Sequence, residues 1–178
     1  MRAIFYLAIA MSLLLVSCNS EPTLQKYFVE NQERPGFLAV DISSSILNLD
    51  KTKLTLEQSK ALSSFNKMNI LAFKLDAKNK GQFDIERKKV SAILKDTLNY
   101  QQLMKFGSGK DCASISYIGD ENHIDEFILY GIKSDNGFAV VRILGKDMNP
   151  ADAMTFMSIL KESNIDMKQL DALKGFIK

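Results

Sequence analysis

The side chains able to do acid–base or covalent chemistry are few in this sequence of 178 residues, and they are scattered. The single histidine, His123, stands among Asp120, Glu121, Asn122, Asp125 and Glu126. Hydrolysis by a Ser-His-Asp or Cys-His arrangement needs that imidazole beside a nucleophile, whereas a histidine in a polar turn is simply solvated. A histidine-based zinc site would need further histidines or cysteines. The carboxylates around His123 lack the alternating ligands and the glycine of an EF-hand calcium loop. Gly107-Ser108-Gly109-Lys110 matches the end of a phosphate-binding loop, but Met104 stands where its first glycine belongs and Asp111 where Ser or Thr should hold magnesium. No catalytic residue, metal or cofactor is therefore expected. Carboxylates alone can cleave glycosides, but nothing in their spacing singles out a pair. Arg142 is the least ordinary charge, because Phe138, Val140 and Leu144 share its face of a candidate strand. A guanidinium there must find acceptors, either a carboxylate at the sheet edge or the polar group of a ligand, which makes Arg142 the candidate ligand-binding residue.

The two cysteines differ in setting. Residues 1–17 carry a positive start at Arg2, an apolar run from Ala3 to Val16 and a small residue, Ser17, which is the pattern of a secretory signal. The run is shorter than the roughly 20 residues that cross a bilayer core. Leu15-Val16-Ser17-Cys18 resembles the lipobox of bacterial lipoproteins, whose signals are cut immediately before a cysteine carrying diacylglycerol. That chemistry needs a thiol to take the lipid, a small residue before it and an apolar stretch upstream, and all three stand here. Cys18 is the expected lipid attachment site. At about 0.8 kcal/mol for each buried methylene, two or three acyl chains hold a protein on a membrane for good. Cys112 is then left without a partner for an intrachain disulfide and reads as a small buried residue opening an apolar segment.

The charge balance is 23 basic against 21 acidic residues, and removing Arg2 with the leader leaves 22 against 21. That field is too weak to imply a nucleic-acid partner. Charges of both signs are interleaved in Asp84, Glu86, Arg87, Lys88 and Lys89, as on a solvated face.

Elements able to position these residues follow from periodicity. Residues 18–23 form a lipidated tether, and residues 24–178 a single domain large enough for one core. Leu24, Tyr27, Phe28 and Asn31 recur at helical spacing until Pro35-Gly36. Phe37 to Ile42 suits a buried strand, and Ser43 to Asp50 a short helical turn. Thr55 and Gln58 are spaced as a capping box for a helix whose apolar side is Leu56, Leu62, Phe65 and Met68. Ile70 to Phe73 forms a strand buried on both faces, and Asp76 to Gly81 a turn. Phe83 to Leu98 is the most strongly amphipathic helix. After a Gly107-Ser108-Gly109 loop, strands are expected near Ser114 to Ile118, Glu126 to Ile132 and Phe138 to Leu144, with Asn136-Gly137 suited to a tight hairpin. Asn149 caps a helix starting at Pro150, and a last helix runs from Asp166 to Gly175. The order predicts an α+β domain, a mostly antiparallel sheet of about five strands covered by helices.

Tyr27-Phe28-Val29-Glu30-Asn31, Pro35-Gly36-Phe37, Asn69 to Phe73 and the run from Gly137 through Leu144 and Gly145 to Pro150 together resemble the Bacteroidetes lipoproteins that carry domain of unknown function 4252. The resemblance implies a small envelope domain without an assigned activity, in genomes where such genes neighbour extracytoplasmic-function sigma factors and their regulators. It carries over no catalytic residue. The expectation is a non-catalytic lipoprotein on an inner or outer membrane, facing the periplasm and acting through contacts with an envelope protein, with envelope sensing as one such use. A small-ligand carrier with Arg142 at the mouth of an apolar pocket, and an enzyme using carboxylates alone, are the alternatives.

Overall fold

A computed structural model describes residues 21–43, 54–108 and 111–162 of the chain. Cys18, the helical turn expected after Ser43, Gly109-Lys110 and the helix expected from Asp166 lie outside the described residues.

Helix α1, Leu24–Asn31, begins where the Thr23 hydroxyl accepts a hydrogen bond from the amide of Lys26, satisfying one of the bare amides of a first turn. Its buried side chains are the expected Leu24, Tyr27, Phe28 and Asn31. Strand β1, Phe37–Ser43, follows the Pro35-Gly36 stop. Helix α2, Leu56–Ser64, carries the capping box: Thr55 and Gln58 each accept from the other's amide. It ends sooner than its apolar spacing suggests, since Phe65 and Met68 belong to strand β2, Phe65–Lys74, and Leu56 is exposed. Helix α3, Lys80–Ile93, likewise stops short of Leu98, which projects from the turn beyond it.

The remaining strands are β3, Gln101–Ser108, β4, Asp111–Asp120, β5, His123–Lys133, and β6, Gly137–Met148. Together they form a six-stranded antiparallel sheet in the order β1-β2-β6-β5-β4-β3, one strand more than expected. The additional strand is β3, which runs into the Gly107-Ser108 segment expected to be a loop. Three of the four last strands, β4, β5 and β6, are the predicted meander, each extending beyond its predicted apolar run at both ends. Helix α4, Pro150–Glu162, opens on a reciprocal cap in which Asn149 Oδ1 accepts from Ala151 and Asp152 while Asp152 Oδ2 accepts from the Asn149 amide.

Two cores flank the sheet. On one face α1 and α3 cover Leu71, Phe73, Ile128, Tyr130, Phe138 and Val140. Phe73 and Phe138 stack with ring centroids 5.6 Å apart, and Phe37 meets Phe73 edge-on at 5.0 Å, an arrangement worth more than area burial alone. Gly137 makes this stack reachable: it holds φ +129°, and a Cβ there would lie 1.9 Å from the carbonyl oxygen of Phe73. On the other face α2 packs over β2 and β6 and against α4. Burial on that side fades along the strands. Ile42, Met68, Ile143, Phe127 and Tyr117 form a buried row; Val40, Val141, Leu129 and Ile115 in the next are half-buried. Among the described residues no helix is long and apolar enough to cross a membrane.

Candidate interaction site

Arg142 lies on the face beneath α1, on a strand in the interior of the sheet, so its partner is not at a sheet edge. Its Nε and Nη2 donate to Glu126 Oε1 and Oε2 at 2.6 and 2.8 Å, a bidentate pair across β5 and β6. Nη1 donates to Gln25 Oε1 of α1 at 2.5 Å, and the guanidinium lies 5.3 Å from the centroid of the Phe28 ring. Both residues of the pair are 6% exposed, so almost no water competes for these bonds. Arg142 thus ties the first helix to the sheet, and its donors point at this chain's own acceptors. It lines none of the four clefts described below.

A second buried ionic group was not legible as one. Glu86, in the charge run that reads as a solvated face, is 2% exposed. The Tyr27 hydroxyl donates to its Oε2 at 3.0 Å, and Arg34 Nη1 and Lys89 Nζ reach Oε1 at 3.2 and 3.1 Å. Burial, then the neighbouring negative charge and its hydrogen bond, push the Tyr27 phenol well above its ordinary range. The signal was present in spacing: Phe83, Glu86, Val90 and Ile93 are the buried side of α3, and Glu86 sits at a core position. The two carboxylates serve separate cations: Glu86 holds α1 to α3, and Glu126 fixes the Arg142 guanidinium that reaches Gln25 of α1.

His123 is the exposed first residue of β5, paired with Asp120 across the turn, as its polar setting predicts. Cys112 is half-buried on β4 rather than fully enclosed, and lines two clefts on opposite sides of the sheet rim. The smaller, about 180 Å³, has mixed walls: Ser91, Lys95, Ser114 and Ser116 line it with Leu94, Ile132 and Tyr130, whose hydroxyl donates to the carbonyl of Arg87 at 3.1 Å. Burial pushes the Tyr130 phenol up to about 12. A cleft of about 430 Å³ separates the start of α1 from the last turns of α3, between Pro22, Lys26, Lys89 and Ile93. A fourth, about 210 Å³, lies near Lys80, Arg87 and Asp135 at the start of α3.

The largest of these clefts is an apolar trough of about 480 Å³ at the rim of the α2/α4 face. Its origin is a row of small residues in register: Ala139 opposite Gly131, Gly131 opposite Ala113, and Ala113 opposite Phe106. The next row carries Ile70, Val141, Leu129, Ile115 and Met104, so the sheet surface drops by the depth of a branched side chain. Phe106 walls one end and is 54% exposed; Met104, two residues back on the same edge strand, is 38% exposed. Beyond them β3 has no neighbour in the sheet, so one row of its amides and carbonyls faces outward. The arrangement can take an extended segment along the β3 edge with an apolar side chain seated in the trough. Small residues carry no motif, and only the pairing register brings them into line.

An open antiparallel sheet with helices on both faces and an apolar rim defines a small α+β domain held together by two buried ion networks. The chain belongs to the family described as Domain of unknown function (DUF4252), whose model matches residues 27–156. No curated protein and no solved structure matches it.

Proposed function

We propose that the protein is a lipoprotein of the cell envelope, anchored through lipid on Cys18, that works without catalysis by docking an extended segment of a second envelope protein on the β3 edge and the adjoining trough. Envelope sensing is the use this reading favours. The observation that carries it is the coincidence of an open strand edge, exposed Phe106 and Met104, and an apolar depression of about 480 Å³ beside them. Contiguous exposed apolar surface on a folded domain marks contact sites. The edge is not self-complementary, because Lys105 lies near its centre and would oppose itself or lie close to its copy in an antiparallel pair of two β3 strands.

The test is site-specific photocrosslinking in intact cells, with a photoreactive amino acid in place of Phe106 and, as control, of Ile85, which is exposed on α3. A discrete adduct with one envelope protein from position 106, absent from position 85, supports the reading. Repeated absence of any adduct at 106 refutes it. A carrier of small apolar molecules is the second reading, favoured by the same trough; it predicts extractable lipid-like ligand in the purified protein, displaced by Phe106→Asp.

A further inference from the structure

The start of α1, a few residues beyond the expected anchor at Cys18, packs at the end of α3. Pro22 and Thr23 line a cleft with Ala92 and Ile93 in the last turn of α3. The amide of Leu24 donates to the hydroxyl of Tyr100 at 3.0 Å, tying the start of α1 to the turn that follows α3. Five residues separate Leu24 from Cys18, a reach of at most about 20 Å when fully extended. The segment that leads to Cys18 therefore joins the domain beside Tyr100, the last residue of the Asp96–Tyr100 turn.

That turn presents Leu98 at 92% exposure, the most exposed large apolar side chain described. It is a rigid mount. Asp96 Oδ1 accepts from the Leu98 amide at 3.1 Å, Asp96 Oδ2 from Asn99 Nδ2 at 2.5 Å, and the Asp96 carbonyl from the amides of Asn99 and Tyr100 at 3.3 and 2.8 Å. Lys95, three residues before Leu98, is exposed and carries an ammonium on a flexible stem. An apolar tip with a neighbouring lysine is the pairing that settles at a bilayer surface, the tip among acyl chains and the ammonium at lipid phosphates. The trough lies toward the other end of the strands: from Tyr117, paired with Gln101, to Ala113, paired with Phe106, is about 13 Å at 3.3 Å per residue.

We infer that the Asp96–Tyr100 turn is a membrane-contacting surface, with Leu98 inserted into the interface of the bilayer that holds the Cys18 lipid, so that the trough faces away from it. The inference rests on the lipid anchor proposed above. It is tested on the full chain, expressed and processed in a bacterial host and reconstituted into vesicles of phosphatidylethanolamine and phosphatidylglycerol. In a Cys112→Ala background, Leu98→Cys and, separately, Asp135→Cys carry a nitrobenzoxadiazole fluorophore. The expected result is that both proteins float with the vesicles, and that the label at 98 shifts to the blue and loses most of its emission to nitroxide-bearing lipid while the label at 135 stays water-like and unquenched. Flotation with an unquenched label at 98 overturns the surface and leaves the anchor standing. Failure to float overturns the anchor and the surface with it. A blue shift at 98 that needs high protein concentration and no lipid assigns the turn to a second copy of the chain instead.

Discussion

At residue scale the buried Arg142–Glu126 pair decides more than any exposed group. Removing one partner strands the other charge where water cannot reach it, so Arg142→Met should cost about 3–5 kcal/mol in urea unfolding. Arg142→Met combined with Glu126→Leu should recover most of that loss, because the stranded carboxylate is gone. A double variant no more stable than the single one would refute this account of the pair. Asp96 gives a pH signature. The Asn99 side chain first, then the amides of Leu98 and Asn99, hold its carboxyl below the usual aspartate range. With the folded value depressed, the bonds that fix the Leu98 turn are in place above about pH 4, the unfolded aspartate value, and are lost as pH falls through the lower folded value. The Leu98 amide resonance should titrate with a midpoint below that of an unperturbed aspartate and stop doing so in Asp96→Asn; a midpoint at or above it contradicts the geometry. Arg142 was legible as unusual because three apolar residues share its strand face. Its carboxylate was not, since Glu126 becomes a diagonal neighbour only once β5 and β6 are in register. Glu86 was read with its charged neighbours in sequence, although the helical spacing that buries it was there to be counted.

At element scale, caps and turns were the most legible features, because each is a local hydrogen-bonding pattern of a few residues. The Thr55–Gln58 box, the Asn149 cap before Pro150 and the stop at Pro35-Gly36 all stand where the sequence places them. Asn149→Ala should cost about 1 kcal/mol by leaving first-turn amides of α4 bare, read from the shift in denaturation midpoint. Gly137→Ala should cost more, roughly 1–3 kcal/mol for the backbone conformation alone, with the contact at the Phe73 carbonyl added; a neutral effect would refute the role given to Gly137 beside the Phe73 stack. Where an apolar run crosses from helix to strand, periodicity failed. Phe65 and Met68 continue the helical spacing of α2 yet lie on β2, and Leu98 continues that of α3 yet points to solvent, because Asp96 turns the chain with its own carboxylate. Strand β3 escaped notice for a related reason: Gln101, Gln102 and Lys105 give an edge strand no buried face on one side, so alternation is faint.

At the scale of the whole molecule the domain has two distinct ends. One carries the start of α1 and the Asp96–Tyr100 turn; the other carries the trough. The α+β class and the antiparallel meander were readable from element order, whereas the trough is a property of β3, β4, β5 and β6 in register and has no counterpart in any single segment. In the proposed account, a lipid at Cys18 would set the orientation of these ends and with it the direction in which the β3 edge is offered to a partner. Metabolic labelling with a tagged fatty acid tests this most directly. Cells expressing the full chain should show a labelled protein in the membrane fraction, and Cys18→Ala should lose both label and membrane association. Label that persists in Cys18→Ala, or a parent chain that takes up none, would contradict the account.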